Sequence, residues 1–235
     1  MRCLPLLFCL LALPAWAIQD AADPWEQWNR KVFVFNETLD TYFMKPVAEG
    51  YDKLTPRPVS QGVTRFFSNI SELPTSGNAL LQGKPSNSGK ALLRFLINST
   101  VGIFGIFDVA SALGVEQQKE DFAQTLAVWG VPSGNYLVLP FFGPSTVRES
   151  FGLAVDVYVD PVNIDDVAVR NSLWALKIVD ARAELLKVES LVSGDRYVFM
   201  RSAYLQRRAY LIHDGRVDDD FDTGDFDDDD DWMMD

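Results

Sequence analysis

The chain has 235 residues, of which 48% are hydrophobic and 23% charged, with a formal net charge of −12. That length suits one domain with a substantial core, and basic residues scattered without a stripe exclude a nucleic-acid surface. Two cysteines and one histidine leave zinc, thiol and Ser-His-Asp chemistry short of parts.

The first 17 residues read as a cleaved export signal. Arg2 supplies the positive charge, Leu4 to Leu13 the apolar run, and Ala15-Trp16-Ala17 the A-x-A cleavage site. The run is too short for a membrane anchor and Pro14 follows it. The alternative is an uncleaved tether. Cys9 follows Leu6-Leu7-Phe8, whose phenylalanine stands where a lipidation site wants a small residue, so the chain is expected to be unlipidated. Both cysteines, Cys3 and Cys9, leave with the signal, and stability must then come from packing.

Helix signals dominate the body. Trp25, Trp28, Val32, Phe35, Leu39 and Tyr42 recur at three- and four-residue steps after the capping pair Asp23-Pro24, while Phe33 and Val34 lie off that stripe. Val59, Val63, Phe66, Phe67 and Ile70 define a second helix after Pro56 and Pro58. The loop Gly83 to Gly89 leads to a third, around Ala91 to Ile97. Val101 to Phe107 is then seven apolar or glycine residues. As a helix it would extend about 10 Å, against a hydrocarbon core of roughly 30 Å, so it cannot span. Either it is buried in an ordinary core or it faces something equally apolar.

Phe122 to Val147 carries no charge, yet Gly130, Pro132, Gly134, Pro140, Gly143 and Pro144 break it as a helix. Backbone of that kind is tolerated at membrane depth only where it is buried in protein or lines a wet cavity. The simpler alternative is that the two apolar segments pack on each other. Thr146 to Glu149 fits a capping box that opens a helix from Glu149 to Val159, ended by Asp160-Pro161. Residues 165 to 192 form a long amphipathic stretch with Val169, Leu173, Leu176 and Val179 on one side. Asp195 caps a last helix that Gly215 closes. No strand alternation exceeds a few residues. Residues 214 to 235 hold twelve aspartates and one arginine and read as a disordered acidic tail without a calcium-loop pattern.

Catalytic motifs are absent: there is no G-x-S-x-G, H-E-x-x-H or P-loop, and His213 sits at a helix end beside the tail. The chain is read as a non-enzyme without metal or cofactor. A hydrolase using only Asp and Glu and a soluble periplasmic interaction module stay open as alternatives.

Ordered blocks across residues 23 to 162 resemble the MlaA (VacJ) family of Gram-negative outer-membrane proteins. They include Asp23-Pro24-Trp25-Glu26-Gln27-Trp28-Asn29-Arg30, Lys45-Pro46-Val47-Ala48, Arg94 to Thr100, Phe107-Asp108-Val109-Ala110, Trp129-Gly130-Val131 and Gly143-Pro144-Ser145. A looser echo runs from Asp195 to Arg207.

The resemblance implies an all-α, ring-like single domain over residues 18 to 213, lying in the periplasmic leaflet of the outer membrane. Its implied partners are phospholipid, a trimeric porin and a soluble periplasmic lipid carrier, and its implied work is to remove phospholipid misplaced in the outer leaflet and so keep lipid asymmetry. Phe33, Phe35, Ile103, Phe104, Phe107, Phe141 and Phe142 are then expected to face lipid or the lipid path. Gly134 and Gly143 are expected to be hinges of a loop beside that path, with a static turn as the alternative. Family members are commonly lipoproteins, and here the chain departs from the pattern.

Overall fold

A computed structural model describes residues 23–187, 189 and 194–215. The expected signal, residues 1–17, and the acidic run from Asp218 onward lie outside them. Most of the described chain is helical, in line with the all-α expectation.

Helix α1 (Glu26–Leu39) runs through a wide π-helical turn (Asp40–Met44) into α2 (Lys45–Leu54). Pro46 explains the wide turn: it lacks the N–H for its place in the helical ladder and its ring crowds the carbonyl four residues back. Prolines also open α3 (Arg57–Ile70) and α5 (Pro85–Thr100), within their first two positions. The third predicted helix therefore begins inside the expected loop, at Pro85. Between these lies α4 (Glu72–Leu81), which sequence periodicity did not single out because its polar residues outnumber its leucines. Short α6 (Val109–Ala112) and α7 (Phe122–Val128) have aspartate caps: Ser111 N donates to Asp108 and Gln124 N donates to Asp121, at 3.1 and 2.8 Å.

The rest of the uncharged segment is a hairpin. Strand β1 (Tyr136–Leu139) pairs antiparallel with β2 (Gly143–Thr146), Tyr136 opposite Thr146 and Leu139 opposite Gly143. Strands of four residues are too short to show alternation in sequence. The Thr146 cap holds, its hydroxyl accepting from Glu149 N, and α8 (Val147–Val159) starts two residues before the predicted Glu149. Helices α9 (Val167–Leu186) and α10 (Arg196–Ile212) open on Asp166 and Asp195.

Packing follows a closed circuit. Starting at α1, it passes to the hairpin, α8, α7, α4, α5, α3, α9 and α2, and so back to α1, with α10 docked on α7 and β2. Helices α7 and α8 cross so closely that a Cβ on Gly152 would stand 2.5 Å from that of Ala123. The apolar core sits where α1, the hairpin and α10 meet: Val32, Tyr136, Val138 and Tyr197, with Phe33, Tyr204 and Leu205 against them.

Candidate functional site

Away from that core, burial is inverted. In α4, Glu72, Thr75, Ser76 and Asn78 are buried, whereas Leu73, Leu80 and Leu81 are exposed. In α5, Ser88, Ala91, Arg94 and Asn98 face inward at helical spacing, while Leu92, Leu93 and Leu96 face out. Among the described residues, buried polar and charged residues outnumber buried hydrophobic ones. Each leucine left in water forgoes about 1.5 to 3 kcal/mol of burial free energy, and soluble monomers rarely expose such contiguous surface. An apolar solvent reverses that balance.

Much of the polar interior is paired side chain to side chain, although Asn69 Oδ1, Glu72 Oε2 and Gln82 Oε1 are buried without a protein partner. Glu72 and Arg94 form an ion pair at 2.7 Å, both almost fully buried. Arg94 also donates to Ser111 at 3.0 Å, Asp108 at 3.1 Å and the Val115 carbonyl, while Gln117 donates to Glu72 at 2.9 Å. Burial pushes the Glu72 carboxyl up against the pull of Arg94. For Asp108, burial acts upward too, but hydrogen bonds from Ser111 and Asn98 and the Arg94 charge prevail and hold it at about 2. A second node joins α7, α8 and α10: Arg208 bridges Asp121 at 2.6 Å and Glu149 at 2.8 Å, and the Tyr204 hydroxyl donates to Glu149. Beside it, burial lifts Asp156 to about 6. A third links Gln82 to Thr125 at 3.2 Å and Thr125 to Asn78 at 3.0 Å.

The hairpin is fastened to α1 by two asparagines seven residues apart. Asn29 donates to the Tyr136 carbonyl at 3.1 Å and accepts from Val138 N at 2.9 Å. Asn36 does the same one step along, donating to the Leu139 carbonyl at 2.9 Å and accepting from Phe141 N at 2.9 Å. Two helical turns rise about 10.5 Å and three strand residues about 10 Å, so the two spacings match. The free edge of β1 is thereby satisfied by side chains. Asn29 also donates to both oxygens of Asp23, at 3.0 and 3.1 Å, and the Tyr197 hydroxyl donates to that carboxylate as well.

The sequence-predicted residues fall into separate groups. Phe35, Phe141 and Phe142 are exposed around the hairpin tip, Phe35 and Phe141 meeting edge to face at 5.4 Å. Ile103, Phe104 and Phe107 are exposed together on the segment after α5, Phe104 at 73%. Phe33 differs: it is half-buried, edge to face with Tyr197 at 5.6 Å. Gly134 and Gly143 take φ of 69° and 82°, so each at least serves a left-handed turn position. On the first stripe Val32 is buried as expected, but Trp25, Trp28, Phe35 and Tyr42 are exposed, and Asn29, off the stripe, is buried as well. Sequence reasoning gave no role to Asn29, Asn36, Glu72 or Arg94, although Asn29 and Arg94 stand in the blocks that carry the resemblance. Two asparagines at a spacing of seven inside an aromatic stripe were the available signal.

A family model described as MlaA lipoprotein matches residues 21–211. The chain belongs to the MlaA family. It is 32% identical over 205 residues to the intermembrane phospholipid transport system lipoprotein MlaA of Escherichia coli K12, covering 85% of this chain and 82% of that one. The Haemophilus influenzae protein of the same name is 32% identical over 212 residues, with 85% and 83% covered. A solved structure described as the structural basis for maintenance of bacterial outer membrane lipid asymmetry superposes with a TM-score of 0.71 at 31% identity, covering 82% of this chain and 100% of the other. The MlaA match takes in the inverted helices, the hairpin and most of α10, and it stops before the acidic run. Among the described residues of this MlaA chain, no helix is long and apolar enough to cross a membrane, and no group of three or more His, Cys, Asp or Glu is placed to hold a metal ion.

Proposed function

We propose that this chain is the outer-membrane component of a phospholipid transport system, seated in the periplasmic leaflet beside a trimeric porin. It takes phospholipid misplaced in the outer leaflet and passes it to a soluble periplasmic carrier, preserving lipid asymmetry. The observation that carries this reading is the inverted burial of α4 and α5, with leucines outward and a paired polar interior. Such a molecule suits acyl chains on its rim, and only half a bilayer has to be matched. The relatives named as phospholipid transport lipoproteins supply the direction of the reading.

In this account Phe35, Ile103, Phe104, Phe107, Phe141 and Phe142 meet acyl chains, and Phe33 backs the hairpin from within. The polar interior offers a headgroup an environment that the outer face does not. Gly134 precedes the hairpin and Gly143 opens its second strand; between them the chain shifts beside the path, and Asn29 and Asn36 set its resting position. Moving a phospholipid intact breaks no covalent bond, so no catalytic residue is required. The chain is exported by residues 1–17 and held by its apolar rim without an acyl anchor.

The test is detergent-free fractionation with lipid analysis. The chain should remain with membranes after washing at high salt, and detergent extraction should copurify phospholipid. A chain recovered in the soluble fraction without bound lipid would instead be a periplasmic interaction module.

A further inference from the structure

The run Val101 to Phe107 leaves α5 through a backbone that L-residues avoid. Ile103, Phe104 and Gly105 hold φ of 51°, 55° and 87°, three left-handed residues in succession. Only glycine enters that region without strain, and a β-branched isoleucine suffers most. Such strain persists where the surroundings over-determine it.

The surroundings here do so. Gly102 N and Phe104 N donate to the carbonyls of Ile97 and Ser99 at 3.1 and 3.0 Å, and Gly105 N donates to that of Asn98 at 2.7 Å. Ile106 N and Phe107 N donate to Ile103 and Gly102 at 3.2 and 2.9 Å. A Cβ on Gly102 would stand 2.2 Å from the Phe107 carbonyl oxygen, and one on Gly105 2.4 Å from the Cβ of Asn69. Beneath lies a polar plate. Asn69 donates to Ser99 Oγ at 2.9 Å, while Asn98 accepts from Ala110 N at 2.9 Å and donates to Asp108 at 3.1 Å.

Two consequences follow from this geometry. Val101, Ile103, Phe104 and Phe107 are more than half exposed and Ile106 is 41% exposed, its Cγ2 lying beside Gly62, and the N–H groups of Val101, Gly102, Phe104, Gly105, Ile106 and Phe107 all donate within the protein. Water would satisfy an ordinary surface loop, but hydrocarbon offers no partner to a free N–H. The outward leucines of α5, Leu92, Leu93 and Leu96, belong to the helix that leads into this turn.

We infer that Val101 to Phe107 is a preformed knuckle inserted among the acyl chains of a phospholipid leaflet, and that its left-handed turn, beyond its apolar composition, makes the insertion. The inference rests on the leaflet reading above. Its occupant is hydrocarbon rather than a protein groove.

Site-specific depth measurement tests it. In the full chain with Cys3→Ser and Cys9→Ser, which removes both cysteines, Ile103→Cys, Phe104→Cys, Ile106→Cys and Phe107→Cys each carry one environment-sensitive fluorophore. On vesicles of phosphatidylethanolamine and phosphatidylglycerol, nitroxides on the acyl chains should quench all four. An unquenched label on protein that floats with the vesicles overturns the knuckle and leaves the leaflet reading standing; protein that does not float removes both. Gly102→Val adds apolar carbon but blocks the turn, and vesicle binding should weaken roughly tenfold, the weight of withdrawing one apolar side chain. Equal binding by this variant overturns the role of the turn. Ile103→Gly keeps the turn without strain and should melt at a higher temperature with the Phe104→Cys label still quenched. A lower melting temperature for that variant contradicts the strained turn.

Discussion

Asn29 has no exposed surface, and its amide serves Asp23, the Tyr136 carbonyl and Val138 N together. Asn29→Leu would leave a buried carboxylate, carbonyl and N–H short of partners, each worth about 1 to 3 kcal/mol. Urea unfolding should show a loss of roughly 3 kcal/mol or more. Asn36→Ala, at a half-exposed position where water can step in, should cost only about 1 kcal/mol. Asp156 makes a prediction with pH in it. Its folded pKa, about 6, lies above the ordinary value of 3.8 because burial disfavours the charge, so ionising it costs stability as pH rises from about 4 to 6 and the full cost stands above 6. Asp156→Asn keeps an acceptor for Phe122 N, which donates to Asp156 at 3.1 Å. After discounting for partial exposure, it should stabilise by about 1 kcal/mol at pH 7 and by nothing at pH 4. Equal gains at both pH values would show that the charge is not the cause.

At the scale of elements, the sequence revealed where helices start far better than which way they face. Thr146 and Asp195 act as caps where capping chemistry placed them, and Pro56 and Pro58 open α3. Orientation was illegible for a physical reason: periodicity reports that two faces of a helix differ, and only the solvent decides which face is inside. For α4 the polar face is inside, and for α1 the buried positions are Asn29, off the stripe, and Val32, on it, while the stripe's aromatic residues stay exposed. The hairpin was illegible because its strands are short and half of its edge pairing comes from side chains on α1, more than a hundred residues away in sequence. Two predictions belong here. Phe104→Asp with Phe107→Asp places two charges among acyl chains at roughly 2 to 3 kcal/mol each, so membrane association should fall while the helical circular-dichroism spectrum persists. Outright unfolding would assign the segment to the core. For the hairpin, Gly143→Val meets no atom within 4 Å of its Cβ but forces a side chain into φ of 82°, whereas Gly134→Val also strikes Val147. With both variants folded and membrane-bound, lipid passage should drop; unchanged passage would leave these glycines as turn residues only.

For the whole molecule, the circuit of helices joins a rim of exposed leucines and aromatics to an interior of paired charges, a distribution that water would penalise and a leaflet would favour. The resemblance in the opening blocks already pointed to this family, and the match over residues 21–211 places the chain in it. We propose that processing separates this chain from relatives named lipoproteins. Intact mass of the exported protein should begin at Ile18 without an acyl group, and a diacylglyceryl-modified Cys9 would contradict that. The central claim concerns lipid asymmetry, and one measurement reaches it most directly: the amount of outer-leaflet phospholipid that an added phospholipase can cleave on intact cells. Cells lacking this chain should yield more cleaved phospholipid, and the wild-type chain supplied in trans should restore the low value. Equal cleavage with and without the chain, at matched expression of the folded protein, would contradict the account.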